Sequence, residues 1–293
     1  MTLFLQNLIA GLSTGSIYAL VALGIALIYR STRILNFAHG DIATGGTYMA
    51  FILLGMGWSF SPAFFIALLF GSLLAMSFYF IILVPAQRRD ASPLGQITLT
   101  LGFGLILQGL VSYFGGTEPQ SFPFPLSDIE TYQLGEIYLN QLSVGTFIIS
   151  IFGCILFYLL IQKTKLGLAM RATSENLQAA QTLGLPTRFI LAVSWGMASL
   201  LGVVAGLFLA PALLLEPFFM LEPFLKGFSA AILGGLNSLP GAIAGGIILG
   251  VSEALAGTYI SIAFKNTMAF IIIIIVLLVR PEGLLGKKFV ERV

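Results

Sequence analysis

The chain has 293 residues, 58% of them hydrophobic and 9% charged, with a formal net charge of +2 and a mean hydropathy of +1.00. Such a chain cannot wet its own surface, so a soluble fold is excluded and most of its length belongs in lipid. Basic residues scattered over short loops give no nucleic-acid signal, and one cysteine (Cys154) with one histidine (His39) excludes a disulfide framework, a thiolate metal cluster and any site needing two imidazoles.

Residues 1–6 carry no Lys or Arg, so the charged region of a cleavable signal is missing and the first apolar run is expected to stay as a span. About 20 apolar residues cross the hydrocarbon core as a helix. Windows of that length predict spans over 7–29, 36–57, 60–84, 97–115, 142–161, 189–214, 225–238, 241–262 and 265–279. The expectation is an all-α polytopic membrane protein, one transmembrane domain over 1–293 with eight or nine helices. The seventh span is short and runs into the breaker cluster Asn237-Ser238-Leu239-Pro240-Gly241, as a broken or re-entrant helix would.

Early in the second span, Asn36, His39 and Asp41 put an imidazole and a carboxylate near a helix start. Asn36 is suited to cap that helix, and Asp41 to favour its positive end. The alternative is a polar lining of a transport route or of its inner gate.

The loop 116–140 holds Glu118, Asp128, Glu130 and Glu136 and no basic residue. Pro119, Pro123 and Pro125 argue against a further span there. Its Phe122, Phe124, Tyr132 and Tyr138 fit a headgroup belt or a docking surface for a soluble exterior partner.

The loop 162–188 is the largest polar segment between spans, with Lys163, Lys165, Arg171 and Arg188 against Glu175. It is patterned as a short helix stopped by a glycine, the form of a docking element. Placing it in the cytoplasm puts 30–35, 85–96 and 280–293 there too. Those four segments then hold 12 of the 14 Lys and Arg, as the positive-inside rule requires. The N-terminus is expected outside and the C-terminus cytoplasmic, with 116–140 an exterior loop.

Glycines recur at four-residue spacing as Gly11/Gly15, Gly202/Gly206, Gly241/Gly245 and Gly246/Gly250. Small residues at that spacing let helix backbones approach closely in lipid. The dense run from Gly234 and Gly235 through Pro240 to Gly250 points further, to a pathway or a subunit interface. Glu253 is a second intramembrane carboxylate, with Lys226 in the preceding span as its candidate counter-charge. Pairing or a subunit contact is favoured over substrate binding. No G-x-x-x-x-G-K-[ST], G-x-S-x-G, H-E-x-x-H or paired-cysteine motif occurs, so catalytic and metal sites and cofactors are not expected.

Four ordered segments resemble the inner-membrane permeases of branched-chain amino-acid ABC importers, of the LivH type. They are Leu35–Asp41 (LNFAHGD), Gly167–Gly184 (GLAMRATSENLQAAQTLG), Ala230–Gly250 followed by Glu253, and Arg280–Gly286 (RPEGLLG). ABC permeases carry a cytoplasmic E-A-A-x-x-x-G signature whose helix sits in a cleft of the ATPase. The resemblance places it at Gln178-Ala179-Ala180-Gln181-Thr182-Leu183-Gly184, with Gln178 for the acidic residue and Glu175, one turn earlier, as its substitute. It implies coupling through Arg171, Gln178, Ala179, Ala180 and Gly184. From the residues themselves, the candidates for a translocation path or gate are Asn36, His39, Asp41, Gly234, Gly235, Pro240 and Glu253. The implied assembly lies in the bacterial inner membrane, in contact with lipid. It contains a second related permease, two ATP-binding cassette subunits and a soluble exterior binding protein. A urea or amide permease, or a stand-alone carrier or channel, is the alternative.

Overall fold

The computed structural model describes residues 2–127, 130–134, 137–261 and 264–286. In chain order the elements are α1 (Thr2–Thr32), α2 (His39–Gly55), α3 (Phe60–Phe78), a π-helical turn (Tyr79–Leu83), α4 (Val84–Arg88) and α5 (Pro93–Gly115). A hairpin of β1 (Thr131–Leu134) and β2 (Ile137–Asn140) follows, then α6 (Gln141–Lys163), α7 (Lys165–Glu175) and α8 (Leu177–Thr182). The chain continues with α9 (Thr187–Leu213), α10 (Leu221–Gly234), α11 (Leu239–Tyr259) and α12 (Phe264–Val279).

Among the described residues, six helices are long and apolar enough to cross a membrane: α1, the continuous run Phe60–Arg88, α5, α6, α9 and α11. The shorter α2, α10 and α12 have 17, 14 and 16 residues. At roughly 1.5 Å per residue, α2 falls just short of a hydrocarbon core about 30 Å thick. Two corrections to the sequence expectation follow. The fold is not wholly helical, because the loop 116–140 pairs Thr131 with Asn140 and Tyr132 with Leu139 in an antiparallel ladder. The seventh helix also starts and stops about one turn earlier than 225–238, since Gly235 takes a φ of +101° that no helix continues through.

Local chemistry sets the helix ends. Ser92, Thr164, Asn176 and Ser238 each accept a bond from the amide three residues on, capping α5, α7, α8 and α11. The π turn lies directly ahead of Pro85. A proline lacks an amide proton and its ring crowds the carbonyl four residues back, so a wider turn lets the span continue to Arg88.

Residues group into two compact units. The first comprises Met1–Ala26, Leu126–Cys154 and Leu225–Val293. In it, α1 and α11 run antiparallel through facing glycine pairs. A Cβ on Gly11 would lie 2.8 Å from the Val251 Cα, and one on Gly15 2.9 Å from the Gly246 carbonyl oxygen. Helix α10 returns antiparallel along α11, with Gly234 against Gly241 and Ala230 against Gly245. The pairs at Gly11/Gly15, Gly241/Gly245 and Gly246/Gly250 are thus contacts between backbones.

The second unit comprises Leu27–Pro125 and Ile155–Phe224. Its centre is Trp195 on α9, fully buried, with ring centroids 5.5 Å from Phe78 and 6.0 Å from Tyr79. Val203 fills the space over Gly46 of α2 and Gly71 of α3. Gly202 and Gly206 admit His39 and Thr47, so α2 and α9 run parallel, whereas Gly196 meets Ser72 and Met76 of the antiparallel α3. Phe122 and Phe124 of the loop 116–140 pack inward, the Phe124 ring centroid lying 5.0 Å from that of Phe60 and 5.2 Å from that of Phe208. Tyr132 and Tyr138 stay exposed, so the loop's aromatics divide between packing and surface. Asp128, Glu136, Lys287, Lys288 and Arg292 lie outside the described residues.

Candidate functional site

Polar residues at the start of α2 face two directions. His39 is 1% exposed and turns toward α9, where a Cβ on Gly202 would lie 3.1 Å from its Nε2. Neither ring nitrogen has a hydrogen-bond partner among the described residues. Asn36 is also buried, and its Oδ1 accepts from the Ala38 amide at 3.1 Å. The N-cap of α2 is Ala38, with no side-chain cap. Asn36 therefore shapes the turn before the helix rather than capping it, a correction to the sequence expectation.

Asp41 faces α5 instead. Its Oδ1 accepts from Gln108 Nε2 at 2.8 Å, and its Oδ2 lies against Gly104, one helical turn before Gln108. Phe37 donates its amide to Thr100 Oγ1 at 3.2 Å, and Tyr48 packs on Gly115. Contacts from 37 with 100, through 41 with 104 and 108, to 48 with 115 make α2 and α5 parallel neighbours. Thr100, Gly104 and Gln108 recur at four-residue spacing on the packed side of α5. That spacing was the available sequence signal for Gln108, which the reading of the chain missed.

Glu253 is 2% exposed and fully engaged. Lys226 Nζ lies 2.7 Å from Oε1 and the Tyr18 hydroxyl donates to Oε2 at 2.9 Å, while the ammonium sits 5.7 Å from the Tyr18 ring centroid. The expected Glu253–Lys226 pair forms, and Tyr18 is a third member that no motif announced. An open groove of about 620 Å³ between α1 and α11 runs past Glu253, lined also by Asn7, Thr14 and Thr258.

Gly234, Gly235 and Pro240 stand at the turn between α10 and α11. The segment after α12 folds back onto this turn, with the Leu284 amide donating to the Leu233 carbonyl at 2.8 Å and Leu285 to Gly234 at 3.0 Å. Gly235 touches Gly286 and the Glu282 carbonyl backbone-to-backbone. Two segments far apart in sequence, Ala230–Gly250 and Arg280–Gly286, are thus one junction.

The 162–188 loop folds as two short helices, α7 and α8. Thr164 starts α7, and Arg171 holds it to the end of α6, donating from Nη1 to Gln162 Oε1 at 2.9 Å and from Nη2 to the Gln162 carbonyl at 3.3 Å. Arg171 is thus partly buried as a brace. Asn176 is extended, at φ −150° and ψ 102°, and separates α7 from α8. Glu175 and Gln178 lie on different helices, so Glu175 is not one turn before Gln178 on a shared axis, contrary to expectation. Helix α8 ends in a Schellman turn: the Leu185 amide donates to the Ala180 carbonyl at 3.1 Å and Gly184 to Gln181 at 2.9 Å, with Gly184 at φ +78°. Ala180 is buried, whereas Gln178, Ala179 and Gly184 are exposed. Leu177 and Leu183 are 46% and 81% exposed, an apolar edge on an otherwise polar element.

The family described as branched-chain amino acid transport system, permease component, matches residues 7–279. The chain is 30% identical to the high-affinity branched-chain amino acid transport system permease protein LivH of Escherichia coli, over 99% of this chain and 98% of LivH. It is 33% identical to the permease protein BraD of the corresponding system in Pseudomonas aeruginosa, over 99% and 98%. Among solved structures, PsaBC from Streptococcus pneumoniae in complex with Fab shares the fold, with a TM-score of 0.50 and 16% identity over 96% of this chain and 93% of that one. With full-length matches and apolar helices throughout, this multi-pass membrane protein belongs to the branched-chain amino acid transport permease family.

Proposed function

We propose that this chain is the permease subunit of a binding-protein-dependent importer that moves branched-chain amino acids inward, using ATP hydrolysed by partner subunits. The observation that carries the proposal is the α7–α8 element. It is a short, capped and exposed helix with two solvent-facing leucines, stopped by a left-handed glycine and braced to a membrane span by Arg171. Leucines left in water stabilise nothing in the isolated chain, whereas burying them in a partner's cleft does. Gln178, Ala179, Ala180 and Gly184 form the docking piece, and Arg171 transmits its displacement to α6.

The assembly contains a second, related permease, two ATP-binding cassette subunits and an exterior binding protein that docks on surfaces including the β1–β2 hairpin. The nine apolar helices cross the bacterial inner membrane with the N-terminus outside and the 162–188 element in the cytoplasm. The route between permeases is lined near the start of α2. Asn36 and His39 shape its wall, and the Gly234–Gly235–Pro240 junction and the Glu253 cluster hold the neighbouring helices in place.

Gly184→Val tests the docking assignment. A Cβ at Gly184 meets nothing within 4 Å, so the cost within the chain is that of a left-handed L residue, roughly 1–2 kcal/mol. In the reconstituted complex, stimulated ATPase activity and leucine uptake are both expected to fall about tenfold, the effect of ~1.4 kcal/mol at the contact. Normal uptake by the variant removes the assignment. Uptake by the purified chain without ATPases removes the importer reading.

A further inference from the structure

The two carboxylates at helix depth are provided for differently. Glu253 has an ammonium at 2.7 Å, whereas Asp41 has no cation within ion-pair reach among the described residues. Asp41 nevertheless sits in a built site. Gly104 opens a notch in α5 that any Cβ would close against Oδ2, and Gln108, four residues on and so on the same face, donates to Oδ1. Asp41 and Gln108 are only half-buried, and Gln108 Oε1 makes no hydrogen bond among the described residues. The surrounding surface of α5 is apolar and open: Leu101, Leu105 and Ile106 are exposed, and a Cβ on Gly102 or Gly109 would meet nothing within 4 Å.

A carboxylate facing lipid costs roughly 2.5–3.5 kcal/mol at the centre of a span, so carboxylates in spans face water-filled cavities or meet a counter-charge. The helix N-terminus offers Asp41 partial positive charge, and Gln108 offers one neutral donor. Neither requires a glycine notch or leaves the site partly open. What the notch presents is a negatively charged carboxylate edge beside an amide oxygen, with one N–H of Gln108 left beside them. Their complement is a group with several N–H donors and a positive charge, which a primary ammonium supplies.

We propose that Asp41, held by Gln108 in the notch at Gly104, is the station in the translocation route that takes the ammonium group of the zwitterionic amino acid. The assignment rests on the importer reading above and adds to it Gln108 and Gly104 as positioning residues. It also separates Asp41, a transient contact, from Glu253, a permanently paired one.

The test uses the full complex of both permeases, ATPases and binding protein in proteoliposomes, with labelled L-leucine outside and ATP at the ATPase face. Asp41→Asn keeps an oxygen for Gln108 and removes the charge. Leucine imported per ATP hydrolysed is expected to fall about tenfold, as loss of a charge-assisted hydrogen bond implies. Asp41→Glu restores the ratio to within about threefold, and the Tm of the complex moves by less than about 2 °C in both variants. An unchanged ratio in Asp41→Asn overturns the assignment. So does a fall in Tm that parallels the lost uptake and is not restored by Asp41→Glu, because that is the signature of a structural carboxylate. A parent complex that hydrolyses no ATP during uptake overturns the importer reading itself, which is a separate result.

Discussion

At the scale of single residues, Tyr18, Glu253 and Lys226 make the most demanding arrangement in the first unit. An ion pair out of water depends on its geometry and on the hydrogen bonds around it. Here one carboxylate oxygen meets the ammonium and the other a phenol, and the ammonium also lies over the phenol ring. Removing one partner strands the other. Glu253→Ala is expected to cost about 3–5 kcal/mol and to lower the Tm of the purified protein by on the order of 10 °C. Glu253→Leu with Lys226→Met recovers most of that loss, because two apolar groups leave no charge stranded. Thermal unfolding of the single and double variants in detergent checks the cycle, and a double variant no more stable than Glu253→Ala contradicts it.

At the scale of elements, small residues decide which helices touch. The Gly11/Gly15 pair of α1 meets the Gly246/Gly250 pair of α11, so each four-residue repeat has its partner in the other. Lipid supplies no hydrophobic drive between helices, and close backbone approach gains dispersion contacts in its place. Gly246→Val drives a side chain into the Ala19 backbone and is expected to abolish the monodisperse peak in size-exclusion chromatography. Gly102→Val on α5 is the control, since its Cβ meets nothing within 4 Å and stability should change by less than about 0.5 kcal/mol. Equal behaviour of the two variants contradicts the packing assignment. Helix α8 was legible in the sequence because its stop at Gly184 is a local signal. Helix α7 was not, because its hold on α6 is an arginine contact that no periodicity marks.

At the scale of the whole molecule, the charge pattern predicts which side of the membrane each loop faces. Within the second unit α2, α5 and α9 run parallel and α3 antiparallel. Within the first, α1 and α10 run opposite to α11. These are the directions that alternation through a membrane requires of them. Cysteine labelling tests the side. The native Cys154 is 1% exposed and is expected to stay silent to an impermeant maleimide. Lys165→Cys is expected to label only from the cytoplasmic side and Tyr132→Cys only from outside, in intact cells compared with inverted vesicles. The reverse pattern removes the proposed orientation and the coupling assignment with it.

The sequence by itself determined the membrane class, the positions of the long apolar helices and the helix stop at Gly184. Each of these depends on composition or on residues within a turn or two, where hydropathy, charge and backbone conformation act locally. Tertiary structure alone decided which glycine pairs oppose each other, that Asp41 meets Gln108, that Tyr18 joins Glu253 and that the 280–286 segment closes the α10–α11 turn. Those contacts join residues up to 235 positions apart. A polar residue in an apolar helix announces that it must be satisfied, but only the packing of helices says by what.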